Sequence, residues 1–255
     1  MLTAPIVMAM AATKSTTTPE GQSERASDVV VAASLLLTLV FGIFLIVAAA
    51  PRFWSAVQRL PANGVIQTLG DGGPVAPADL RLADRALASS VALNGRARDL
   101  NDLARIRQHR AMAAKLDSLQ GRDLLTSSRA LQRRALAAAP ANAFGWLRLA
   151  HTEILLGGLG KPAAAALLQS IATSPFYYPL LWRQLDFAFL LWPVLEPKQR
   201  RRIEPQIVAA AAISVGLLAK LAVRRHANGA VRAALAKNGS ALSAFDAIYR
   251  QRIRL

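Results

Sequence analysis

From Val29 to Ala50 the chain reads VVVAASLLLTLVFGIFLIVAAA, 22 residues without a charge, interrupted only by Ser34 and Thr38. At about 1.5 Å of rise per residue, a helix of this length covers the roughly 30 Å hydrocarbon core of a bilayer. Asp28 bounds the run on one side and Pro51-Arg52 on the other, followed by Phe53 and Trp54, which suit the membrane–water interface. A secretory signal has a shorter apolar core behind a basic start. Here the run lies behind residues 1–28, which contain Glu20, Glu24 and Asp28, and a proline follows the small residues that would have to be cleaved. Residues 29–50 are therefore read as an uncleaved transmembrane helix. Lys14 and Arg25 precede it and Arg52 and Arg59 follow it, so the positive-inside rule gives no orientation.

The flanking segments are of other kinds. Residues 1–28 include the polar stretch TKSTTTPEGQSERASD and are predicted to be a disordered N-terminal segment. Residues 51–77 end in PANGVIQTLGDGGPVAP, whose glycines and prolines predict a juxtamembrane segment and linker. A second apolar run, IVAAAAISVGLLA from Ile207 to Ala219, is too short to span and is closed by Lys220, so it is predicted to be a buried helix.

Beyond residue 77, helical periodicity dominates. The chain is 53% hydrophobic but only 6% aromatic, a balance that builds helices from alanine and leucine, and an all-α fold is expected. Helices are predicted near 78–93, 98–118, 122–138, 142–156, 163–173 and 178–192, with residues 78–255 forming one helical domain. Pro140 divides one pair of helices and Pro175 divides the next, 35 residues apart, a spacing that suggests an internal repeat. A helix pair cannot bury its apolar face alone, whereas stacked pairs share a core and leave a groove.

The stretch PANAFGWLRLAHTEILLGG, residues 140–158, carries a more specific pattern. Trp146, Leu149 and Ala150, followed after a turn by Ala163, Leu167 and Pro175, resemble the tetratricopeptide repeat. RALAAAP, with Ala135, Leu136 and Pro140, matches the end of the preceding unit. The resemblance covers about 80 residues and implies an α-solenoid of antiparallel hairpins packed through these positions. Glu153 departs from it, standing where the family has a tyrosine. The chain is also similar to single-span bacterial proteins associated with exopolysaccharide synthesis and export, which share an anchor, a linker, a WLRLA helix and LLWRQLDFAFLLWP (Leu180–Pro193 here). That similarity implies an inner-membrane location with the helical domain in the periplasm.

No chemistry-bearing motif survives inspection. The absence of cysteine excludes disulfides, thiolate nucleophiles and cysteine-ligated metals. His109, His151 and His226 show no paired helical spacing, and the loop GGLGKP lacks the first glycine and the final hydroxyl of a phosphate loop. No enzyme, metal or cofactor is expected. Glu153 falls on the same helical face as Trp146 and Leu149, and a carboxylate there needs a partner. Arg133, Arg134 or Arg183 is predicted to supply it in a structural ion pair.

With 31 basic and 15 acidic residues the formal charge is +16, enough to attract polyanions or an anionic membrane surface. Solvated helix faces account for such charge equally well. Arg200, Arg201 and Arg202, with Tyr177 and Tyr178 at a helix start, are the candidate groove and anion surface. The expected function is that of a non-enzymatic, membrane-anchored scaffold binding another envelope protein through helical repeats. The alternative is direct binding of an anionic polymer, an acidic glycan or, for a cytosolic domain, nucleic acid.

Overall fold

The computed structural model describes residues 20–252, with side chains from residue 31 onward. Residues 1–19, most of the predicted disordered segment, and Arg254 lie outside the described residues. Among the described residues the protein is all-α, with ten α-helices, one 3₁₀ turn at Trp192–Val194 and no strand. The helices are α1 (Glu20–Gly70), α2 (Pro77–Leu93), α3 (Ala97–Ala113), α4 (Leu119–Ala138) and α5 (Ala143–Gly157). They continue as α6 (Lys161–Thr173), α7 (Tyr178–Leu191), α8 (Pro197–Arg225), α9 (Asn228–Leu235) and α10 (Gly239–Arg252). The chain divides into two units between Ala50 and Pro51.

In the first unit, the side chains of α1 from Leu35 to Val47 are exposed among the described residues; Leu37 is 72% exposed and Ile46 70%. The two hydroxyls in this apolar run are satisfied within the helix, Ser34 donating to Val31 O and Thr38 to Ser34 O, each at 2.8 Å. A helix with all its polar groups internally bonded and an apolar exterior is matched to lipid. By length and composition two helices can cross a membrane, α1 from Val31 and α8. In α8 the run Ile207–Ala219 is interrupted by Ser214, whose backbone leaves the helical region (φ −162°, ψ 101°). Ile207, Ala210, Ala211, Leu218 and Ala219 are nonetheless buried against neighbouring helices.

Two expectations about the N-terminal region need correction. Residues 20–28, expected to be disordered, belong to α1. Residues 51–70, expected as a juxtamembrane segment and linker, are also helical and are docked. Ser55, Ala62 and Leu69 are buried, with Val65 and Ile66 beside them. Ser55 exchanges a 2.8 Å hydroxyl–hydroxyl bond with Ser90 of α2, while Arg59 reaches both Asp99 and Asp102 of α3. Positions 55, 59, 62, 66 and 69 share one helical stripe, so a helix was encoded there despite Pro61 and Gly64. Only residues 71–76 remain as a connection to α2.

Within the second unit helices α2 to α9 pack chiefly on their neighbours in the chain, α5 also touches α3 and α7, and α10 folds back to pack chiefly on α8. Two apolar cores result. One gathers Ala62, Leu80, Leu87, Leu103 and Ile106, and the other Leu147, Leu167, Leu181, Leu185, Ile203 and Ile207; α4 gives Leu131 and Ala135 to the first and Leu136 to the second. Each fully buried leucine contributes about 2 kcal/mol. Where α4 meets α3 and α5 buried polar contacts accompany the apolar ones. Ser128 donates to Ala104 O (2.8 Å), and Gln132 donates to Ser128 Oγ (3.3 Å) and to Thr152 Oγ1 (3.0 Å). A similar device recurs one hairpin later, Ser170 donating to Ala143 O (2.8 Å) and Gln184 to Ser170 Oγ (3.0 Å).

The helix predicted over 98–118 ends early, at Ala113. Lys115 takes a left-handed conformation (φ 66°), and Ser118 caps α4 by accepting from Gly121 N at 3.0 Å. A β-carbon on Gly121 would lie 2.3 Å from Lys115 O. This glycine, in the first turn of α4, permits the close approach that starts the helix.

Candidate functional site

The hairpin α5–α6 holds the residues with the strongest sequence pattern. Asn142 caps α5 by accepting from Gly145 N (2.9 Å), and Trp146 Nε1 donates to Pro140 O (2.8 Å), tying the helix to the loop before it. Leu149 and Ala150 face Ala163 and Leu167 in the second core, all four buried. Gly158, at φ 74°, ends α5 in a conformation that glycine adopts without strain. Pro175 lies on the surface after α6, and its carbonyl accepts from Gln206 Nε2 of α8.

Glu153 is buried and accepts from Arg133 at 2.9 Å, with Arg129 at 3.6 Å. Both arginines lie one turn apart on α4, so one carboxylate bridges two guanidiniums. The other two predicted partners lie elsewhere. Arg134 points away from α5, near Gly95, and Arg183 joins a different group on α7. Arg129 was not among the predicted partners, although its spacing from Arg133 was a usable signal.

That different group is the main feature which the sequence did not reveal. Among Arg105 and His109 of α3, Arg148 and His151 of α5, and Arg183 and Phe187 of α7, His151 meets Phe187 directly and the charges of Arg105, Arg148 and Arg183 act on one another across these alternate helices. Each pair is three or four residues apart, the interval that places two side chains on one helical face. Gln108 bonds His151 Nδ1 at 2.8 Å, and the His151 ring packs 5.3 Å from that of Phe187, so His151 is half-buried and fixed.

The three arginines form no ion pair among the described residues. The acid nearest in effect, Asp102, already holds Arg59 and lies 4.0 Å from Arg98. Burial, then the charge of Arg105, push the Arg148 guanidinium down to about 10, with Asp102 opposing and Arg183 adding to the shift. Arg105 is lowered by burial, with Asp102 again opposing and Arg183 reinforcing. Burial lowers both histidines, and Arg105, His151 and Arg148 lower His109 further. The arrangement places positive charge that only Asp102 opposes in a half-buried setting, where charges act on one another more strongly than in open solvent.

The predicted groove residues are arranged otherwise. Tyr177 and Tyr178 are exposed at the start of α7, beside exposed Phe176, and Tyr177 meets Phe144 edge-on at 5.9 Å. Arg200 lies over the Trp192 ring at 5.7 Å, a cation–π contact, whereas Arg201 and Arg202 are exposed. Gln206, one turn beyond Arg202, links the start of α8 to the loop preceding the tyrosines. Much of the remaining basic tail is neutralised, Arg224 and Arg225 by Asp186 and Arg232 by Asp246. No protein-family model and no curated protein matches this chain, so its function must be argued from this geometry.

Proposed function

We propose that the protein is a non-enzymatic, membrane-anchored adaptor whose tetratricopeptide-like hairpins bind another protein. The observation that carries this reading is the exposed aromatic group Phe144, Phe176, Tyr177 and Tyr178, with Phe176 60% and Tyr178 58% exposed. A contiguous apolar patch of this kind is stable in water only at a cost and marks surfaces that meet partners. Nearest-neighbour packing of helices α2 to α9, and the repeated serine-to-carbonyl bond from the second helix of a hairpin to its first, support stacked repeats. The naked apolar length of α1 supports the anchor. The similarity of the sequence to exopolysaccharide-associated proteins suggests the setting, an inner-membrane polysaccharide assembly with the domain in the periplasm.

A photo-crosslinking residue at position 178 in cells tests the adaptor. It should trap one discrete protein adduct, which persists in high salt and disappears with Phe176→Ser. Absence of an adduct sinks the reading. A second reading, binding of an anionic polymer, is favoured by exposed Arg201 and Arg202, which have no acidic partner among the described residues. Such binding should weaken steeply as salt rises, because released counterions drive it.

A further inference from the structure

We propose that a cavity between the start of α2, the end of α3 and the start of α4 binds a small apolar carboxylate, free or as the last residue of a chain. The site goes beyond the adaptor reading and does not depend on it. The cavity measures about 210 Å³. Its apolar wall is built from Pro77 and Leu80 of α2, Ala113 of α3 and Leu124 of α4, and two guanidiniums, Arg81 of α2 and Arg110 of α3, line the same space. An apolar cavity of roughly 150 Å³ holds a benzene ring. The space here therefore admits one ring or branched chain together with a charged head.

The charges decide which head. Asp84 divides one carboxylate between Arg107, at 3.0 Å, and Arg110. Arg110 reaches it through Nη1 alone, which leaves the donors on Nη2 and Nε without a protein acceptor among the described residues. Arg81 forms no ion pair among the described residues and is exposed at the rim. Leu80 is buried and Leu124 half-buried, so the body of a ligand meets apolar side chains while its head stays at the solvent edge beside Arg81. A carboxylate suits that edge because its two oxygens match the parallel N–H donors of a guanidinium. A bare inorganic anion would leave the apolar wall uncovered, and a neutral ring would bring no acceptor to the two arginines.

The test is calorimetric titration of the full chain in detergent micelles with benzoate, against protein-free micelles as the blank. Saturable binding at one site and a raised unfolding temperature are expected. Acetate and benzyl alcohol, each carrying half of the recognised chemistry, should bind at least about tenfold more weakly. Arg81→Gln, at an exposed position that should not disturb folding, should weaken benzoate at least about fivefold, the loss of a charge-assisted bond. Arg183→Gln, the same charge removed elsewhere, should leave binding unchanged. Ala113→Leu, also at an exposed position, fills the cavity and should abolish binding while the melting temperature is retained. The tripeptide Gly-Gly-Phe, binding as benzoate does, assigns the site to a chain terminus, and its exclusion assigns the site to a free molecule. Unsaturable binding, acetate as tight as benzoate, equal loss in the two arginine variants, or undiminished binding by Ala113→Leu would overturn the proposal. The titration contains no partner protein, so its failure leaves the adaptor untouched, just as a missing crosslink at position 178 leaves the cavity untouched.

Discussion

Two groups of arginines in this domain have opposite electrostatic situations. At Asp84, Arg107 and Arg110 share one buried carboxylate, and Arg107 also reaches Ser127; at the face of α3, α5 and α7, three arginines lie together without one. The formal charge of +16 is thus unevenly distributed, with some arginines grouped around a carboxylate and others without an ion pair among the described residues. Net charge alone distinguishes neither, since both consist of arginines at helical spacing. The contrast predicts opposite signs for mutations that each remove a single charge.

The largest effect should come from the neutralised group. Asp84→Asn leaves two mostly buried guanidiniums without their carboxylate and should destabilise the domain by about 3 kcal/mol, measured by chemical denaturation. A loss below about 1 kcal/mol would mean that solvent compensates the arginines and that the contrast is superficial. Glu153→Gln tests the same principle where Arg133 is 60% exposed in its side chain. Water can solvate that partner, so a smaller loss, about 1–2 kcal/mol, is expected in a thermal melt.

The legible and illegible parts of the sequence divide along similar physical lines. The helices from α4 to α7 were readable because alanine–leucine periodicity, prolines and the paired glycines at residues 157 and 158 are local signals, and Glu153 stood out as a carboxylate on an apolar face. The docking of residues 51–70 was not readable by composition. Its glycines and prolines mimic a linker, and the partners of Arg59 lie about forty positions away, at Asp99 and Asp102. The α3–α5–α7 cluster was hidden for the same reason: Arg105, Arg148 and Arg183 sit on separate helices, and only the packing of alternate helices makes them neighbours. His109 and His151 have no shared spacing in sequence, yet the fold places them within each other's field.

In the uncompensated cluster the sign should reverse. Arg148→Met keeps most of the aliphatic volume while removing the most desolvated of the three charges. It should stabilise the protein by about 1 kcal/mol, because a hydrophobic replacement of an unpaired buried charge removes both desolvation and repulsion. A lower melting temperature would show that Asp102 already compensates Arg148, and the cluster would then resemble the Asp84 group.

The smallest effect is a separation of the two regions by pH. His109 and His151 are lowered from an ordinary value near 6.5, so as pH falls through that value the unfolded chain binds protons that the folded chain still refuses. Stability should therefore be flat above this range and decline below it, until the folded histidines protonate beside Arg105 and Arg148. Asp186 acts in the same sense at lower pH. Burial tends to raise its pKa, but the hydrogen bond and charge of Arg225, with Arg224, outweigh burial and hold it below the usual 3.8. Its contribution is present above that value and is lost only as pH falls through the lowered one. Denaturation followed from pH 8 to 3 should show the histidine decline first, and a His109→Gln, His151→Gln double variant should flatten the curve between about 6.5 and 5 while preserving the drop below about 4. A double variant that kept the upper decline would place its origin outside the α3–α5–α7 face, and the electrostatic contrast between the regions would lose its pH signature.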